Sequence, residues 1–508
     1  MVSFFLKKLL TLIKVCWYFS FLIPYVIMAN SLVTVWLEIH LKLSTSTKIF
    51  CRCKNDQSLD NNEPNTNICP VCTGQPWALP QLSEEVVEKW MLIWKALNCK
   101  WNNPSRFDRK SYFYPDLPMG YQITQLYTPI NVDWEVPFFM DNYEKERKVR
   151  ITDAHLECDT AKALHQWETM YLDFNRAWTP LIEIVTWPDF CSSDEAVEFA
   201  KEIQRIAKWN NLSDADMEKW QMRVDVNVSI RKSESDPLWT RVELKNINSF
   251  SAIKRAIDAE VLRQEQALNA GEEIHQETRR WDDLKGQSFV MRSKEDALDY
   301  RYFPEPDLPE LYLSDALIEK VKSKELTIPF DHIKKMKNEY GFNKEYINTL
   351  IWDYTTLVFF NNLLEKWFDA KLIAKWIAWQ ISAYMTAHFV PITELPVDEE
   401  QLVEFFEIAK EGKIIDNQLK LVMEEMLASW ASASDIIKEK WFDAPAISAD
   451  DLRGICKTVI AENPAIVEQY KWWKTSTIGF FVGQVMKKTQ WKANPKEITG
   501  ILTQELNN

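Results

Sequence analysis

The amino-acid sequence predicts an α+β protein, in which an antiparallel sheet with flanking helices precedes an all-α region. Two stretches predict the sheet. In residues 223–231 polar side chains alternate with Val and Ile, and residues 33–43 show a second alternation of period two. Beyond residue 309 this pattern gives way to Lys- and Glu-rich segments of helical period, for instance residues 343–353, 399–410 and 417–429. That change predicts a helical second half.

A further strand is predicted at residues 241–245, after a polar turn that contains Pro237. If it lies beside residues 223–231, the two strands share one polar face, whose members are Arg223, Asp225, Asn227, Ser229, Arg231, Arg241, Glu243 and Lys245. A solvated sheet face is one interpretation. The mixture of carboxylate, amide and guanidinium groups favours another, a site that binds a metal ion and phosphates.

Length, charge and cysteine content limit the class of protein. A chain of 508 residues suffices for two to four domains. Its net charge of −14 argues against a protein that coats nucleic acid through its whole surface, although a local basic patch is compatible with it. Nine cysteines are too few and too unevenly spaced for a secreted disulfide framework, which predicts a reducing, cytoplasmic compartment.

Residues 1–28 are apolar and carry Lys7 and Lys8 ahead of the main apolar run. A signal peptide or membrane anchor is one interpretation of this segment. Because Lys14 interrupts the run and a predicted strand follows closely, we expect instead a non-native extension, with Met28 as the start of the protein and no membrane segment. The remaining chain is predicted to divide into residues 29–325, 326–430 and 431–508.

Four cysteines form two close pairs in the first predicted domain. Cys51 and Cys53 are separated by one residue, and Cys69 and Cys72 follow after a loop rich in Asn and Asp. Two thiolate pairs separated by a loop are typical of a structural zinc site. The loop 51–72 is therefore predicted to bind zinc, against the alternative of four unrelated buried thiols.

Two strands carry residues of the types that bind metal ions. Glu38 and His40 lie two apart on one strand face, a plausible metal pair whose alternative is a solvent-facing pair. In residues 151–159 a second face carries Asp153, His155, Glu157 and Asp159. Acidic groups this close would repel one another unless a divalent cation lay among them. The pattern predicts such a cation.

A series of motifs runs in order from about residue 33 to the C-terminus. It comprises WLEIHLKL, TKIFCRC, CPVC, SRFDRKSYFYPDLPMGYQITQ, HLECDTAKALH, DFNRAWTPLIEIVTWPDF, RVDVNVSIR, TRVELKNINSF, QETRRWDD, DYRYFPEPDL and IGFFVGQVMKKTQWKANP. Together these motifs resemble the B subunit of the bacterial and organellar Glu/Asp-tRNA amidotransferase. The resemblance implies a cradle-shaped catalytic domain related to glutamine synthetase, followed by a helical domain and an α-helical tail that binds tRNA.

The resemblance also implies an activity and partners. ATP would phosphorylate the side-chain carboxylate of Glu or Asp on a misacylated tRNA, and ammonia from a partner amidase (A) subunit would then displace the phosphate. A small C subunit completes the heterotrimer of this family. Carried onto this sequence, Glu38, His40, Glu157 and Glu243 become catalytic and Mg²⁺-binding residues, with Asp159 as a further ligand. Nucleotide and phosphate contacts are assigned to Arg223, Asp225, Arg241 and Lys245.

One departure from the family pattern concerns the metal site. The family has two acidic residues where this chain has Glu157 and Cys158. Either Asp159 or Glu157 replaces the missing carboxylate, or Cys158 weakens the site. A weakened subunit that only binds tRNA is therefore one alternative function, and an ATP-dependent amide ligase for a small acid is another. The basic tail argues against the small acid, because Lys residues there suit tRNA: Lys471, Lys474, Lys487, Lys488, Lys492 and Lys496.

Tryptophan is unusually frequent in this chain. It contains 23 Trp and only 10 Gly, although glycine usually makes up about 7% of residues. Ten of these Trp stand where the family pattern has glycine, namely Trp36, Trp77, Trp94, Trp178, Trp220, Trp239, Trp430, Trp441, Trp473 and Trp491, whereas Trp281 stands where the family has Trp. We therefore predict that the gene uses a code in which UGA is read as glycine.

Overall fold

The computed structural model divides the chain into two compact units, residues 1–334 and residues 335–508. It describes residues 31–56, 63–129, 131–231, 233, 240–293, 300–366, 369–442, 449–471, 477–489, 493 and 495–507. The predicted extension 1–28 lies outside these ranges. The unit boundary falls nine residues after the predicted end of the cradle domain at residue 325, and the further division at residue 430 stays a prediction.

The first unit is built on a mixed sheet that has nine strands in the described part of the chain. The strands are β1 (Leu32–Lys42), β2 (Lys100–Trp101), β5 (Asn131–Met140), β6 (Lys145–Cys158), β9 (Pro180–Thr186), β10 (Met222–Arg231), β11 (Val242–Lys245), β12 (Glu277–Asp282) and β13 (Gln287–Ser293). Their order in the sheet is β13-β12-β11-β10-β1-β9-β6-β5-β2. Only β11 and β12 are parallel; all other neighbours are antiparallel.

Two smaller sheets accompany this one. The first joins β3 (Asp108–Ser111), β4 (Tyr121–Thr124) and β14 (Phe303–Pro304), and the second joins β7 (Lys162–Gln166) and β8 (Thr169–Asp173). The aromatic and basic segment at residues 107–125 therefore begins and ends with paired strands. Its loop is confined to the residues between β3 and β4.

Helices cover one face of the large sheet. They include α1 (Glu84–Leu97), α2 (Ser193–Trp209) and α3 (Phe250–Asn269), while α4 (Asp315–Ser323) packs against α1. The hydroxyls of Ser192 and Ser249 accept hydrogen bonds from backbone N–H groups in the first turns of α2 and α3, which fixes where both helices begin. The apolar residues of β1 and β10 pack in the same core as these helices. The opposite face of those strands is left to polar side chains.

The second unit is entirely helical in its described residues. Helix α5 (Pro329–Asn338) spans the boundary between the units. The following helices are α6 (Lys344–Leu350), α7 (Tyr354–Glu365), α8 (Ala370–Trp376), α9 (Ser382–His388), α10 (Glu399–Glu411), α11 (Asp416–Ser429), α12 (Ala433–Glu439), α13 (Ala449–Glu462), α14 (Pro464–Lys471), α15 (Ile478–Lys488) and α16 (Pro495–Asn507). Helices α13, α15 and α16 share an apolar core that includes Cys456, Phe481 and Leu502.

The fold confirms the predicted class, a large, mainly antiparallel sheet with helices followed by a helical region. The predicted strands at 33–43, 151–159, 223–231 and 241–245 correspond to β1, β6, β10 and β11. Within the described ranges, no helix combines the length and apolarity needed to cross a membrane.

Candidate active site

The strand register collects the polar residues on one face of the sheet. Glu38 on β1 lies opposite Asp225 on β10, and His40 lies opposite both Arg223 on β10 and Glu183 on β9. Because side chains two residues apart on a strand point to the same side, these residues form one continuous polar surface. We call this surface the active face.

One group of acidic residues on the active face consists of Glu38, Asp225 and Glu243. One carboxylate oxygen from each lies within 4.8 Å of the others. The ammonium of Lys245 lies 2.6 Å from Oδ2 of Asp225 and 2.7 Å from Oε1 of Glu243. Burial, followed by the nearby charge of Glu183, raises the pKa of Glu38 to about 7. An all-oxygen set of ligands is what Mg²⁺ prefers.

The second group consists of His40, Glu157 and Glu183, whose ligand atoms also lie within 4.8 Å of one another. Nε2 of His40 is 3.7 Å from Oε1 of Glu157 and 3.5 Å from Oε2 of Glu183. The side chain of Glu157 is almost fully buried, with 4% of its surface exposed. One imidazole and two carboxylates form a set that suits a divalent cation.

Glu183 connects the second group to another histidine, His155. Its Oε2 lies 3.2 Å from Nε2 of His155, whose Nδ1 is 2.7 Å from Oδ1 of Asp153. Although burial opposes protonation, Glu183 and Asp153 raise the pKa of His155 to about 10. Burial likewise opposes ionisation of Glu183, yet the two histidines hold its pKa well below the usual value. A carboxylate between two imidazoles is thereby fixed in its charged form.

Sequence patterns did not identify Glu183 as a site residue. It lies in the apolar run PLIEIVT, and its only signal is that it is the single charged residue of a buried strand. Lys110 on β3 was also missed. Its ammonium lies 5.2 Å from the centroid of the Tyr300 ring. Burial opposes the charge of Lys110, but Glu157 and other nearby groups, Glu183 among them, raise its pKa.

The structure changes the role of Asp159. Its carboxylate does not belong to either acidic group; it faces Lys42, Arg176 and Arg223 at 3.5–3.8 Å. Although burial opposes ionisation, Arg176 and then Arg223 lower the pKa of Asp159 to about 2. A carboxylate surrounded by three cations is already neutralised, which disfavours Asp159 as a further Mg²⁺ ligand.

The structure also separates Cys158 from the metal groups. Strand alternation places it opposite Glu157, in the apolar core with Leu156 and Ala154, and 3% of its surface is exposed. Burial raises the pKa of its thiol to about 12. Cys158 therefore cannot weaken the site by replacing a ligand on the active face.

Of the remaining predicted nucleotide contacts, Arg223 and Arg241 also lie near the acidic groups. Arg223 is adjacent to His40 in the register, and its guanidinium is 3.7 Å from Oδ1 of Asp159. Arg241 is half-buried just before β11. Burial opposes ionisation of the nearby Glu243, but Lys245 and, to a smaller extent, Arg241 lower its pKa. Both can reach anionic oxygens close to the acidic groups.

The four predicted zinc ligands come together. The Sγ atoms of Cys51, Cys53, Cys69 and Cys72 all lie within 4.8 Å of one another. A hydrogen bond from the Cys51 thiol, together with the ammonium of Lys48 3.8 Å away, lowers the pKa of Cys72 to about 5 against the effect of burial. A group of four cysteines with one thiolate already favoured can bind zinc.

Two of the predicted tRNA-binding lysines are described with their side chains. Lys487 and Lys488 lie exposed in the last turn of α15. Nζ of Lys488 is 2.6 Å from Oε1 and 2.7 Å from Oε2 of Glu462. Lys474 and Lys492 lie outside the described residues, as do the side chains of Lys471 and Lys496.

Fold and site together define a class of α+β protein. One face of its mainly antiparallel sheet has two acidic groups that could each bind a divalent cation, with basic side chains beside them. Comparison with known proteins then identifies the family. Residues 33–319 match the model of the GatB/GatE catalytic domain, and residues 358–506 match that of the GatB domain. The chain belongs to this GatB family.

Curated relatives agree with this assignment along nearly the whole chain. The proteins named as the B subunit of aspartyl/glutamyl-tRNA(Asn/Gln) amidotransferase in Elusimicrobium minutum, Symbiobacterium thermophilum and Thermoanaerobacter pseudethanolicus are each 40% identical to it. Each alignment covers 93% of this chain and 97–98% of the relative. The similarity therefore includes both structural units.

Proposed function

We propose that this chain is the subunit of a tRNA-dependent amidotransferase that converts Glu-tRNA(Gln) or Asp-tRNA(Asn) into Gln-tRNA(Gln) or Asn-tRNA(Asn). The observation that carries the proposal is the pair of acidic groups on one face, with basic side chains beside them, in a member of the GatB family. A carboxylate is a poor electrophile, and a phosphoryl group gives it a leaving group.

The reaction has two steps, phosphorylation of the carboxylate and its amidation. An oxygen of the tRNA-linked carboxylate attacks the γ-phosphorus of ATP, and ADP leaves. Ammonia then attacks the carbonyl carbon of the acyl phosphate, inorganic phosphate leaves, and a proton is lost from nitrogen. Mg²⁺ supplies charge neutralisation for the transferring phosphoryl group.

The position of each residue on the active face determines its proposed role. Glu38, Asp225 and Glu243 would hold one Mg²⁺ ion, and His40, Glu157 and Glu183 would hold a second. Lys245 and Arg241 lie beside the first group and bind phosphate oxygens of ATP. The Asp153–His155–Glu183 chain of contacts fixes the orientation of the Glu183 carboxylate toward His40.

Partners complete the reaction. Ammonia comes from a glutamine-hydrolysing amidase subunit, and a small third subunit joins the two in a heterotrimer. The cysteine group binds structural zinc and fixes the loop that contains it. The helical unit binds the body of tRNA, with Lys487 on the exposed side of α15 as one contact.

The alternative of a weakened, tRNA-binding subunit loses its basis, since it rested on Cys158 being at the metal site. An ATP-dependent ligase for a small acid remains the second candidate, because the active face alone does not require tRNA. The two candidates differ in one observable: only the tRNA enzyme needs a charged tRNA for ATP cleavage.

The test is ADP release by the reconstituted complex with Glu-tRNA(Gln), uncharged tRNA(Gln) or free glutamate. Of the three, only the charged tRNA should cause ADP release. This release should be lost in Glu38→Gln and Glu183→Gln. Glu319→Gln, whose side chain is 72% exposed in α4, is the matched control and should keep full activity. ADP release with free glutamate alone would favour the small-acid ligase.

A further inference from the structure

Three basic side chains converge on one buried carboxylate at the end of the active face. Nζ of Lys42 lies 3.8 Å and Nε of Arg176 3.5 Å from Oδ2 of Asp159, while a terminal nitrogen of Arg223 lies 3.7 Å from Oδ1. The Asp159 side chain is 4% exposed. We call Lys42, Arg176, Arg223 and Asp159 the cationic cluster.

The cationic cluster lies beside further acidic groups. Although burial opposes the charge of Arg223, Asp159 and then Glu157, Asp225 and Glu183 raise its pKa. The contacts are also long for charge-assisted hydrogen bonds, which are typically about 2.7–2.9 Å. Among the described residues, Oδ2 of Asp159 accepts no hydrogen bond, although two basic groups lie within 3.8 Å. The Arg223 guanidinium, 3.7 Å from Asp159, is therefore placed to contact a second anion as well.

The two arginines are oriented differently. Nε of Arg176 donates to the carbonyl of Thr160 at 3.1 Å, and one of its terminal nitrogens donates to the carbonyl of Ala161 at 2.9 Å. These bonds fix the guanidinium plane. Arg223 makes no hydrogen bond to any described residue, and its only close ionic partner there is Asp159. With 32% of its side chain exposed, Arg223 therefore has donors that are available to a ligand.

The cationic cluster lies directly beside the second acidic group. Arg223 is opposite His40 in the register, and Lys42 follows His40 by two residues on the same strand face. An anion held by the cluster would therefore be next to a cation held by His40, Glu157 and Glu183. Adjacent cationic side chains and a divalent cation are the usual surroundings of a phosphoryl group.

We propose that Lys42, Arg176 and Arg223 form the subsite that binds the phosphate group of the acyl phosphate and retains it as the leaving group when ammonia attacks. Asp159 lies among the three cations and offsets part of their charge, which limits how tightly the subsite holds phosphate. This inference rests on the proposed function and assigns Lys42 and Arg176 a role in the second step.

The test uses the reconstituted complex and inorganic phosphate as a product inhibitor of Gln-tRNA formation. Arg176→Gln and Lys42→Gln should raise the inhibition constant for phosphate by about tenfold, the effect expected of losing one charge-assisted contact. Asp159→Asn should lower it, because it removes the negative charge that competes with phosphate. Inhibition by ADP should stay unchanged in all three, and Arg176→Lys should restore part of the phosphate effect.

Opposite shifts for Arg176→Gln and Asp159→Asn distinguish an anion subsite from a structural role, which would shift both in one direction. Arg255→Gln, which removes an exposed Arg paired with Asp283, is the control. Equal inhibition constants for phosphate in all variants would overturn the subsite while leaving the proposed function standing. Absence of charged-tRNA-dependent ADP release from the wild type would instead overturn the proposed function itself.

A second inference rests on backbone torsion angles. Six tryptophans have φ between 56° and 70°, namely Trp77, Trp167, Trp178, Trp220, Trp430 and Trp441. Five of them are among the ten positions predicted to be glycine. The left-handed region is disfavoured for any residue with a Cβ, and it is where glycine is the usual residue.

Two of these tryptophans end helices. Trp430 is the left-handed C-cap of α11, and its N–H donates to the carbonyl of Met426. Trp441 follows α12 in the same conformation, with its N–H bonded to the carbonyl of Lys438. A left-handed residue after a helix is usually glycine. The indoles of Trp77 and Trp167 are fully exposed, so no packing offsets the backbone strain.

Trp281 provides the contrast within the chain. It was expected to be a genuine tryptophan, and it lies in β12 with 2% of its surface exposed. Its Nε1 donates to Oδ1 of Asp283 at 3.0 Å. A buried indole with its N–H satisfied is the environment in which Trp stabilises a fold.

We infer that the native protein has glycine at the left-handed tryptophan positions, because the gene reads UGA as glycine. Trp36 and Trp94 lie in β1 and α1 without left-handed φ, so the backbone argument does not extend to them. Trp36 nevertheless lies on the active face, opposite Asn227 and two residues from Glu38. Glycine there would open the face beside the first acidic group. Trp239, Trp473 and Trp491 lie outside the described residues.

Peptide mass spectrometry of the protein purified from its native cells tests this inference. Peptides containing positions 77, 178, 430 and 441 should have the mass expected for glycine, and the peptide with position 281 the mass expected for tryptophan. A recombinant comparison gives a second readout: Trp430→Gly should raise the melting temperature, whereas Trp352→Gly, also exposed but without left-handed φ, should not. Tryptophan in the native peptides would overturn the inference.

Discussion

Lys245 and Asp225 lie on the neighbouring strands β11 and β10, and the Lys245 ammonium is 2.6 Å from Oδ2 of Asp225. The same ammonium contacts Glu243, so it lies against two of the three carboxylates of the first acidic group. Burial opposes its charge, but Asp225 and then Glu243 raise the pKa of Lys245. A fixed positive charge therefore shares this site with any divalent cation that binds there.

Lys245→Met should separate these two roles of the lysine. Removing the competing charge should tighten binding of Mn²⁺ at the first acidic group, measured by isothermal titration calorimetry. Phosphoryl transfer should fall by roughly 10²-fold, because a charge that stabilises the transferring group is lost. Lys219→Met removes an exposed lysine outside the site and is the control. Unchanged Mn²⁺ affinity in Lys245→Met would contradict a cation site at this group.

Cys158→Glu tests the placement of Cys158 in the core. A carboxylate introduced among buried apolar side chains should lower stability by a few kcal/mol, about the cost of an unpaired buried polar group. The Mg²⁺ concentration for half-maximal activity should stay the same, because the side chain points away from the active face. A shift in that concentration would show that residue 158 reaches the metal.

Cys69→Ser should remove the zinc ion and loosen its loop. The expected result is loss of one zinc equivalent per chain by plasma mass spectrometry, together with a lower melting temperature, at roughly 2–4 °C for each kcal/mol lost in a unit of this size. Cys191→Ser changes an exposed thiol outside the cysteine group and should do neither. Equal zinc content in the two variants would contradict a zinc site.

Glu202 gives the first unit a pH-dependent stability. Burial raises its pKa to about 7, although Arg205 and the backbone N–H of Phe330 both favour the charged form. A raised carboxyl pKa means that the folded state binds the proton more tightly than the unfolded chain. The stabilising contribution is therefore complete below about pH 4.5 and is lost as the pH rises toward 7.

Glu202→Gln should remove this dependence. At pH 8 the variant should be more stable than the wild type by about 1–3 kcal/mol, and the difference should vanish near pH 4.5. Urea unfolding of the first unit across this pH range measures it. Glu198→Gln changes a partly exposed glutamate on the same helix and serves as the control. Parallel pH profiles for Glu202→Gln and the wild type would contradict the raised pKa.

Alternation along the chain was enough to predict the half-buried strands. In β1 and β10 each face has one kind of side chain, so the polar residues Glu38, Asp225 and Arg223 could be assigned to one surface before any pairing was known. The same holds for the cysteine group, because the spacing of its two pairs was enough to predict that the four thiols come together. Site residues that follow a strand period, or that lie close together in the chain, can therefore be predicted from the sequence.

Residues whose surroundings depend on strand pairing could not be placed from the sequence. Glu183 lies in β9, whose sequence PLIEIVT has apolar residues on both faces and so lacks polar–apolar alternation; only its position between β1 and β6 brings it to His40 and His155. Asp159 shares a face with Glu157, yet it comes just after the end of β6, where Arg176 and Arg223 from other segments surround it. Such long-range neighbours have no local signal.

Amidation of charged tRNA is the reaction that the proposed function requires. The chain is reconstituted with its amidase and small partner subunits, supplied with glutamine, Mg²⁺ and ATP, and assayed for Gln-tRNA from Glu-tRNA(Gln) and for Asn-tRNA from Asp-tRNA(Asn). We expect product from at least one of these tRNAs, with one ADP released per amide formed and no product with Glu183→Gln. Amide formation without ATP cleavage, or ATP cleavage without a charged tRNA, would contradict the proposed function.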